Sequence, residues 1–144
     1  MDGTPDLVAR LLGSSALALL ARIALTCAYW WSGLSKLSDF AGARAEAAHF
    51  FGDARAAPIA AATILVQLVG SGLLISGRLA WLGAGALAVF TALATLVAHD
   101  FWNIPDPAAH FQALNAFLEH IGLIGGLALA AMLAIRRAPG EDGP

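Results

Sequence analysis

Cysteine and charge are both scarce in this sequence of 144 residues. Its single cysteine, Cys27, excludes an internal disulfide, a C-x-x-C redox pair and a cysteine-ligated iron–sulfur cluster. Charged residues make up only 12% of the chain, where globular proteins carry about 25%. The net charge of −2, with Lys36 as the only lysine, argues against a nucleic-acid-binding protein. The chain also shows no nucleotide-binding fingerprint and no convincing pair of haem ligands.

Hydrophobic residues, by contrast, make up 59% of the chain. They form four long apolar stretches, at about 12–34, 58–76, 79–98 and 114–135. A helix needs about 20 mostly apolar residues to cross a bilayer, and each stretch meets that length. We therefore predict an all-α fold, an integral membrane four-helix bundle that forms a single domain over residues 1–144.

Between the first two stretches, apolar residues recur at helical spacing: Phe40, Ala43, Ala47, Phe50 and Phe51. This pattern predicts a short amphipathic helix on the membrane surface, and a plain loop with aromatic anchoring is the alternative.

The segment after the third stretch combines anchoring residues with a helix start. Trp102 lies where that stretch leaves the hydrocarbon, a depth at which aromatic residues are enriched. Asp106 followed by Pro107 is typical of an N-cap and a first-turn proline, so a new helix is expected there.

The basic residues favour cytoplasmic termini. One side of the predicted bundle carries Arg10, Arg78, Arg136 and Arg137, and the other carries Lys36, Arg44 and Arg55. By the positive-inside rule, the first set marks the cytoplasmic side. Arg22, inside the first span, is expected to extend its guanidinium to the same headgroups.

Each predicted span carries a stripe of small and polar residues on one helical face. In lipid such stripes turn toward neighbouring helices, because polar groups need partners there. Most of the polar residues fall in the outer half of the spans, which predicts a polar pocket open toward the external face. The candidate ligand-binding residues are Tyr29, Lys36, Gln67, His99, Asp100, Trp102, Gln112, Asn115, Glu119 and His120.

Glu119 is the most informative of these candidates, because an ionisable group within a span is costly. Depth and helical face make Lys36 its expected partner, and the pair would then hold two helices together. Alternatively, Glu119 binds or protonates a ligand together with Gln67 and Gln112.

The histidines near the third span allow several arrangements. His99 and Asp100 form either a proton-handling pair or a contact that fixes the loop. A metal site built from His99, Asp100, His110 and His120 matches no strong ligand spacing, so we predict none.

Four segments in order carry a family resemblance: SGLSKLSDF at 32–40, GRL at 77–79, ATLVAHDFW at 94–102 and FLEHIGLIGG at 117–126. Over residues 20–135 the chain resembles the DoxX family of small four-helix bacterial membrane proteins. The resemblance implies a multi-pass protein of the bacterial inner membrane. It also implies a subunit of a quinone-linked or thiol-linked membrane oxidoreductase.

The chain departs from the family pattern at two places. Gln67 stands where the family often has glutamate, and Glu119-His120 stands where it often has Lys-Asn. We hypothesise that the buried carboxylate has moved from the second span to the fourth.

Two functions follow as hypotheses. The first is a membrane subunit without a redox cofactor of its own, which binds a quinone or another small ligand and receives electrons from a partner protein. The alternative is a non-catalytic scaffold or assembly factor, in which the polar groups only specify helix packing. A small-solute transporter is a weaker third hypothesis, because the chain shows no broken-helix signature.

Overall fold

The computed structural model describes residues 5–136, and every regular element within them is helical. The helices are α1 (Asp6–Gly13), α2 (Ser15–Ser38), α3 (Phe40–Phe51), α4 (Asp53–Ser76), α5 (Ala80–Ala98), a 3₁₀ turn (Phe101–Asn103) and α6 (Pro107–Arg136). Four of them, α2, α4, α5 and α6, are long and apolar enough to cross a membrane. The prediction of an all-α protein is confirmed, and the structure contains the four expected helices of membrane-spanning length and composition. The predicted position of Arg137 lies outside the described residues.

Two of the spans begin earlier than the apolar stretches suggest. Helix α6 starts at Pro107 because Asp106 caps it, accepting a hydrogen bond from the backbone N–H of Ala109 at 2.8 Å. The helix start expected from the Asp-Pro pair is thus confirmed. Helix α4 starts at Asp53, directly after the glycine that separates it from α3.

Helix α3 folds back along the first part of α4. A single residue, Gly52 with φ of 79°, links the two helices. The small faces of both helices then meet, burying Ala43 and Ala47 against Ala56 and Ala60. The segment is therefore helical rather than a plain loop, and its predicted position on the membrane surface stays a prediction. The three phenylalanine side chains of α3 are exposed, namely those of Phe40, Phe50 and Phe51.

Helix α4 occupies the centre of the bundle, with α2, α3 and α5 packed around it. Its contact with α5 is especially close, because a Cβ placed on Gly83 would lie 2.6 Å from the carbonyl oxygen of Gly70. Only glycine allows the two backbones to approach to this distance. Helix α6 packs extensively on α5 but meets α2 at few residues, so the bundle is less closed on that side.

The α4–α5 turn lies at one end of the bundle, hereafter the inner end. Gly77, with φ of 77°, ends α4 in the left-handed conformation. The guanidinium of Arg22 lies over this turn, its Nη1 2.7 Å from where a Cβ on Gly77 would sit. Arg22 therefore reaches the end of the bundle, as its predicted role requires. The opposite end, where α2 and α5 finish and α6 begins, is hereafter the outer end.

Helix α1, which the apolar pattern did not predict, precedes the first span. None of its residues is buried, and Leu7, Val8, Leu11 and Leu12 expose their side chains. Ser14 separates it from α2 and caps α2 by accepting a hydrogen bond from the N–H of Leu17.

Candidate functional site

A buried hydroxyl pair joins α2 to α5 in the middle of the bundle. Tyr29 and Thr91 are both buried, and their hydroxyl groups form a hydrogen bond. The Thr91 hydroxyl donates its one proton to the carbonyl oxygen of Leu87 at 2.7 Å. Tyr29 must therefore be the donor in the pair, which leaves a lone pair of its oxygen free to accept.

One turn further outward, Thr95 connects α5 to α6. Its hydroxyl donates to the carbonyl oxygen of Thr91 at 2.6 Å, because a carbonyl can only accept. The same hydroxyl lies 2.8 Å from Nδ1 of His120 and must accept from it. This geometry assigns a proton to Nδ1 of His120. Its Nε2 atom has no hydrogen-bond partner within residues 5–136.

The His120 ring also contacts the ring of His99, the residue that follows the end of α5. The two ring centroids are 4.9 Å apart, and the planes are inclined by 59°. Asp100 accepts a hydrogen bond from the side chain of Asn103 at 3.1 Å. The hydrogen-bonded His99–Asp100 pair is therefore not formed, because each residue has a different neighbour. Across the described part of the chain, no three His, Cys, Asp or Glu side chains are grouped to hold a metal ion.

These contacts form two separate units. The first is the Tyr29–Thr91 pair, and the second is the series Thr95, His120 and His99, hereafter the histidine group. The Thr95 hydroxyl is bonded to the peptide carbonyl of Thr91, so this carbonyl separates it from the Thr91 hydroxyl. Because a carbonyl oxygen carries no proton to pass on, the two units do not form a continuous proton path.

A third set of polar atoms is buried on α2 and α4. Gln67 is 6% exposed and Ser71 is 1% exposed, and both lie on one face of α4. The oxygens Gln67 Oε1 and Ser71 Oγ and the indole nitrogen Trp30 Nε1 are all buried without a hydrogen-bond partner. Gly33 packs against Gln67, which places Trp30 one turn along α2 from this contact. Within residues 5–136, a buried donor on α2 and two buried oxygens on α4 thus have no hydrogen-bond partner.

The structure gives Lys36 a different partner from the predicted one. Its Nζ lies 2.5 Å from Oε2 of Glu46 on α3, and the Lys36 side chain is 20% exposed. Glu119 is exposed and forms no salt bridge within residues 5–136. The expected Lys36–Glu119 pair is corrected to Lys36–Glu46, because α3 folds back beside the end of α2 and offers the nearer carboxylate.

Three further candidates on α6, namely Gln112, Asn115 and Glu119, are exposed rather than turned into a closed pocket. Trp102 is exposed as well, with its ring centroid 6.3 Å from that of Phe117 in an edge-to-face contact. Trp102 thus belongs to an aromatic cluster at the outer end, which agrees with its role as an anchor.

Of the predicted site residues, the structure brings Tyr29, His99 and His120 into two neighbouring polar units through Thr91 and Thr95. Sequence reasoning did not include these two threonines among the ligand-binding candidates. Their four-residue spacing was the available signal, because i and i+4 positions share a helical face.

The comparisons with known proteins identify a family. The DoxX family model matches residues 17–100, which covers α3, α4 and α5 and almost all of α2. Helix α6, with Glu119 and His120, lies beyond the matched residues. No curated protein and no solved structure gives a significant match.

Proposed function

Because this chain belongs to the DoxX family of membrane proteins, we propose that it is the membrane subunit of an oxidoreductase system. In this proposal the subunit binds the headgroup of a quinone in the outer half of the bundle. It carries no redox cofactor of its own, so electrons reach the quinone from a partner protein. The whole chain forms one domain in the inner membrane of a bacterial cell.

The observation that carries the proposal is the Thr95–His120 hydrogen bond. It holds the imidazole of His120 in one orientation and directs the unpaired Nε2 away from α5. A quinone headgroup presents carbonyl acceptors, and its reduced form presents hydroxyl donors. Since imidazole can donate or accept, the rings of His120 and His99 suit both forms.

The aromatic cluster supports a site at this end of the bundle. Phe101 packs edge-to-face on Trp102 and Phe117, with centroid distances of 5.0 and 5.3 Å. Such side chains provide flat apolar walls for a ring-shaped ligand next to the histidine group.

The arginines support an orientation with the inner end on the cytoplasmic side. Arg10, Arg78 and Arg136 lie at the inner end, and Arg22 also extends to that end. With the inner end cytoplasmic, the histidine group faces the periplasmic leaflet. Helix α3 then lies at the periplasmic interface, where its exposed phenylalanines enter the headgroup region.

The experiment is a binding measurement on the protein purified in a mild detergent. We expect co-purifying quinone in stoichiometric amounts, and a rise in the midpoint of thermal unfolding when a short-tailed quinone is added. Thr95→Val should abolish the quinone-dependent rise, because the His120 ring loses its hydrogen-bond acceptor. Thr63→Val is the matched control and should keep the rise, because Thr63 lies in the outer half of α4 and its side chain forms no hydrogen bond within residues 5–136.

The proposal is wrong if the purified protein contains no quinone and shows no thermal shift with added quinone. It is also wrong in its placement of the site if Thr95→Val and Thr63→Val respond alike.

One observation favours a second candidate function, a non-catalytic scaffold. Gln112, Asn115 and Glu119 form an exposed polar face on a helix that crosses the membrane. A membrane helix of another protein could satisfy these groups. Crosslinking in native membranes distinguishes the candidates: a stable partner whose binding survives Thr95→Val and Glu119→Gln would favour the scaffold.

A further inference from the structure

An apolar groove lies between α2 and α6 in the inner half of the bundle, and its volume is about 330 Å³. The α2 wall runs from Leu17 to Leu25, and the α6 wall runs from Gly126 to Ala134. Leu12 of α1 adds to the wall at the inner end. A Cβ placed on Gly126 would lie 3.3 Å from a methyl group of Leu25, so these two residues close the groove at its outer limit.

The length of the groove matches one leaflet of a membrane. Along α6 the eight residues from Gly126 to Ala134 rise by about 12 Å. The hydrocarbon core of a bilayer is about 30 Å thick, so one leaflet contributes about 15 Å. A groove of this length fits an acyl chain that enters from the inner end, whereas the spanning helix of a partner needs a surface along the whole bundle.

Arg22 is the one polar side chain among the described residues that line the groove. The side chain is half-buried, and its guanidinium lies over the α4–α5 turn, close to Gly77. The stem of Arg22 therefore lines the groove, while its charge lies at the inner end, at the depth of the lipid headgroups. A guanidinium offers a phosphate two parallel N–H donors, so it can hold a phosphate group in a defined orientation.

The inner end carries an excess of positive charge that the described chain does not neutralise. Within residues 5–136 the only salt bridge joins Lys36 to Glu46, on α2 and α3 at the outer end. Of the described carboxylates, only Asp6 of α1 lies at the inner end, together with four arginines: Arg10, Arg22, Arg78 and Arg136. Such a set of cations beside a groove between spans is complementary to an anionic lipid headgroup.

A second copy of this chain is a poorer occupant of the groove. Two copies inserted in the same direction and paired through the groove would be related by a two-fold axis along the membrane normal. Such an axis places Arg22 of one copy at the same depth as Arg22 of the other, across the interface, and like charges repel.

We propose that the groove binds an anionic phospholipid of the leaflet at the inner end. One acyl chain lies along the walls of α2 and α6, and the phosphate accepts hydrogen bonds from Arg22. The site goes beyond the proposed quinone-binding function, because it lies at the opposite end from the histidine group and takes a ligand of another class.

The test of the charge is lipid binding to the full chain in a mild detergent, measured by native mass spectrometry. Dioleoylphosphatidylglycerol is compared with dioleoylphosphatidylcholine, which has the same acyl chains and no net charge. We expect the anionic lipid to bind at least about tenfold more tightly, the equivalent of about 1.4 kcal/mol. Arg22→Gln should remove this preference.

Arg10→Gln is the matched control and should keep the preference for the anionic lipid. It removes the same charge from the same end of the bundle. Arg10, however, lies about 200° around α1 from Leu12 and does not line the groove.

Ala21→Phe tests the shape of the groove apart from its charge. Ala21 is exposed and lines the groove, so the new ring occupies the groove without separating the helices. It should weaken the binding of both lipids about tenfold or more. Ala28→Phe is the matched control and should bind as the wild type does, because Ala28 is also exposed and lies on the same face of α2 but beyond Leu25.

The assignment is overturned if the wild type binds the two lipids equally, or if Arg22→Gln and Ala21→Phe bind as their controls do. A dimer that excludes lipid and that Ala21→Phe converts to monomers would also overturn it, and would identify the groove as an interface between copies. None of these results changes the expectation for quinone at the outer end, so the two proposals can fail separately.

Discussion

Gly83→Ala should destabilise the bundle, because it separates α4 and α5 at a point of close backbone contact. The added methyl carbon would lie 2.6 Å from the carbonyl oxygen of Gly70 and 3.0 Å from the backbone nitrogen of Leu74. Close C–H···O contacts in proteins lie at about 3.3–3.6 Å, so the shortfall is about 0.7–1.0 Å. Neither backbone atom can rotate away, and α4 and α5 must move apart.

Gly85→Ala in the same helix isolates this effect. Nothing lies within 4 Å of where a Cβ on Gly85 would be placed. Both substitutions gain the same helix propensity of up to about 1 kcal/mol, and that gain cancels when the two variants are compared. The difference that remains is the cost of overpacking, about 1–3 kcal/mol. Gly70→Ala should fall between them, because its new methyl meets the flexible side chain of Leu87 at 2.9 Å.

The assay is unfolding in mixed micelles by titration with SDS, and tryptophan fluorescence and circular dichroism monitor the transition. We expect Gly85→Ala to be the most stable of the three variants, Gly70→Ala to be intermediate and Gly83→Ala to be the least stable. Equal midpoints for Gly83→Ala and Gly85→Ala would refute the close packing of α4 on α5.

Four further predictions concern stability in the same assay. Ser71→Ala should leave stability unchanged or raise it by about 1 kcal/mol, because its hydroxyl is buried without a partner; a loss comparable to that of Thr95→Val would show that the hydroxyl is bonded. Thr95→Val should cost about 1–3 kcal/mol, since it leaves Nδ1 of His120 without its acceptor; unchanged stability would contradict the assigned bond. Gly77→Ala should cost about 1–2 kcal/mol, because a left-handed residue gains a Cβ there; a stabilised variant would exclude this turn. Glu46→Gln should lower stability by less than about 1 kcal/mol, as expected for a partly exposed ion pair, and a larger loss would mean that the pair is shielded from water.

The parts of the fold that could be predicted from sequence are those set by local chemistry and by the lipid. Long apolar stretches identify candidate spans independently of the helices packed around them. Asp106 with Pro107 identifies the start of α6, because a helix cap depends only on adjacent residues. The helix at Phe40–Phe51 follows from its own periodicity. Helix α1 was not predicted because its short apolar stretch was not distinguished from the following span.

The partners within the candidate site depend on how helices pack, which a helical wheel does not contain. Lys36 faces α6 on the wheel, yet its ammonium is bound by Glu46, since the position of α3 is fixed by alanine packing on α4. Likewise, Glu119 faces α2 on the wheel, but the outer halves of α2 and α6 do not close around it. The sequence placed His120 in the outer half of the bundle, whereas its hydrogen bond to Thr95 depends on the relative height and rotation of α5 and α6.

The central claim is that a quinone headgroup binds in the outer half of this bundle, and photolabelling tests both the binding and the place. A quinone with a photoreactive azide on its ring would be irradiated with the protein in lipid vesicles, and labelled residues would be identified by mass spectrometry. We predict labelling near His99 and His120 that disappears when unmodified quinone is added in excess. Labelling that excess quinone does not reduce, or that is confined to the inner end around Trp81 and Leu82, would contradict the account.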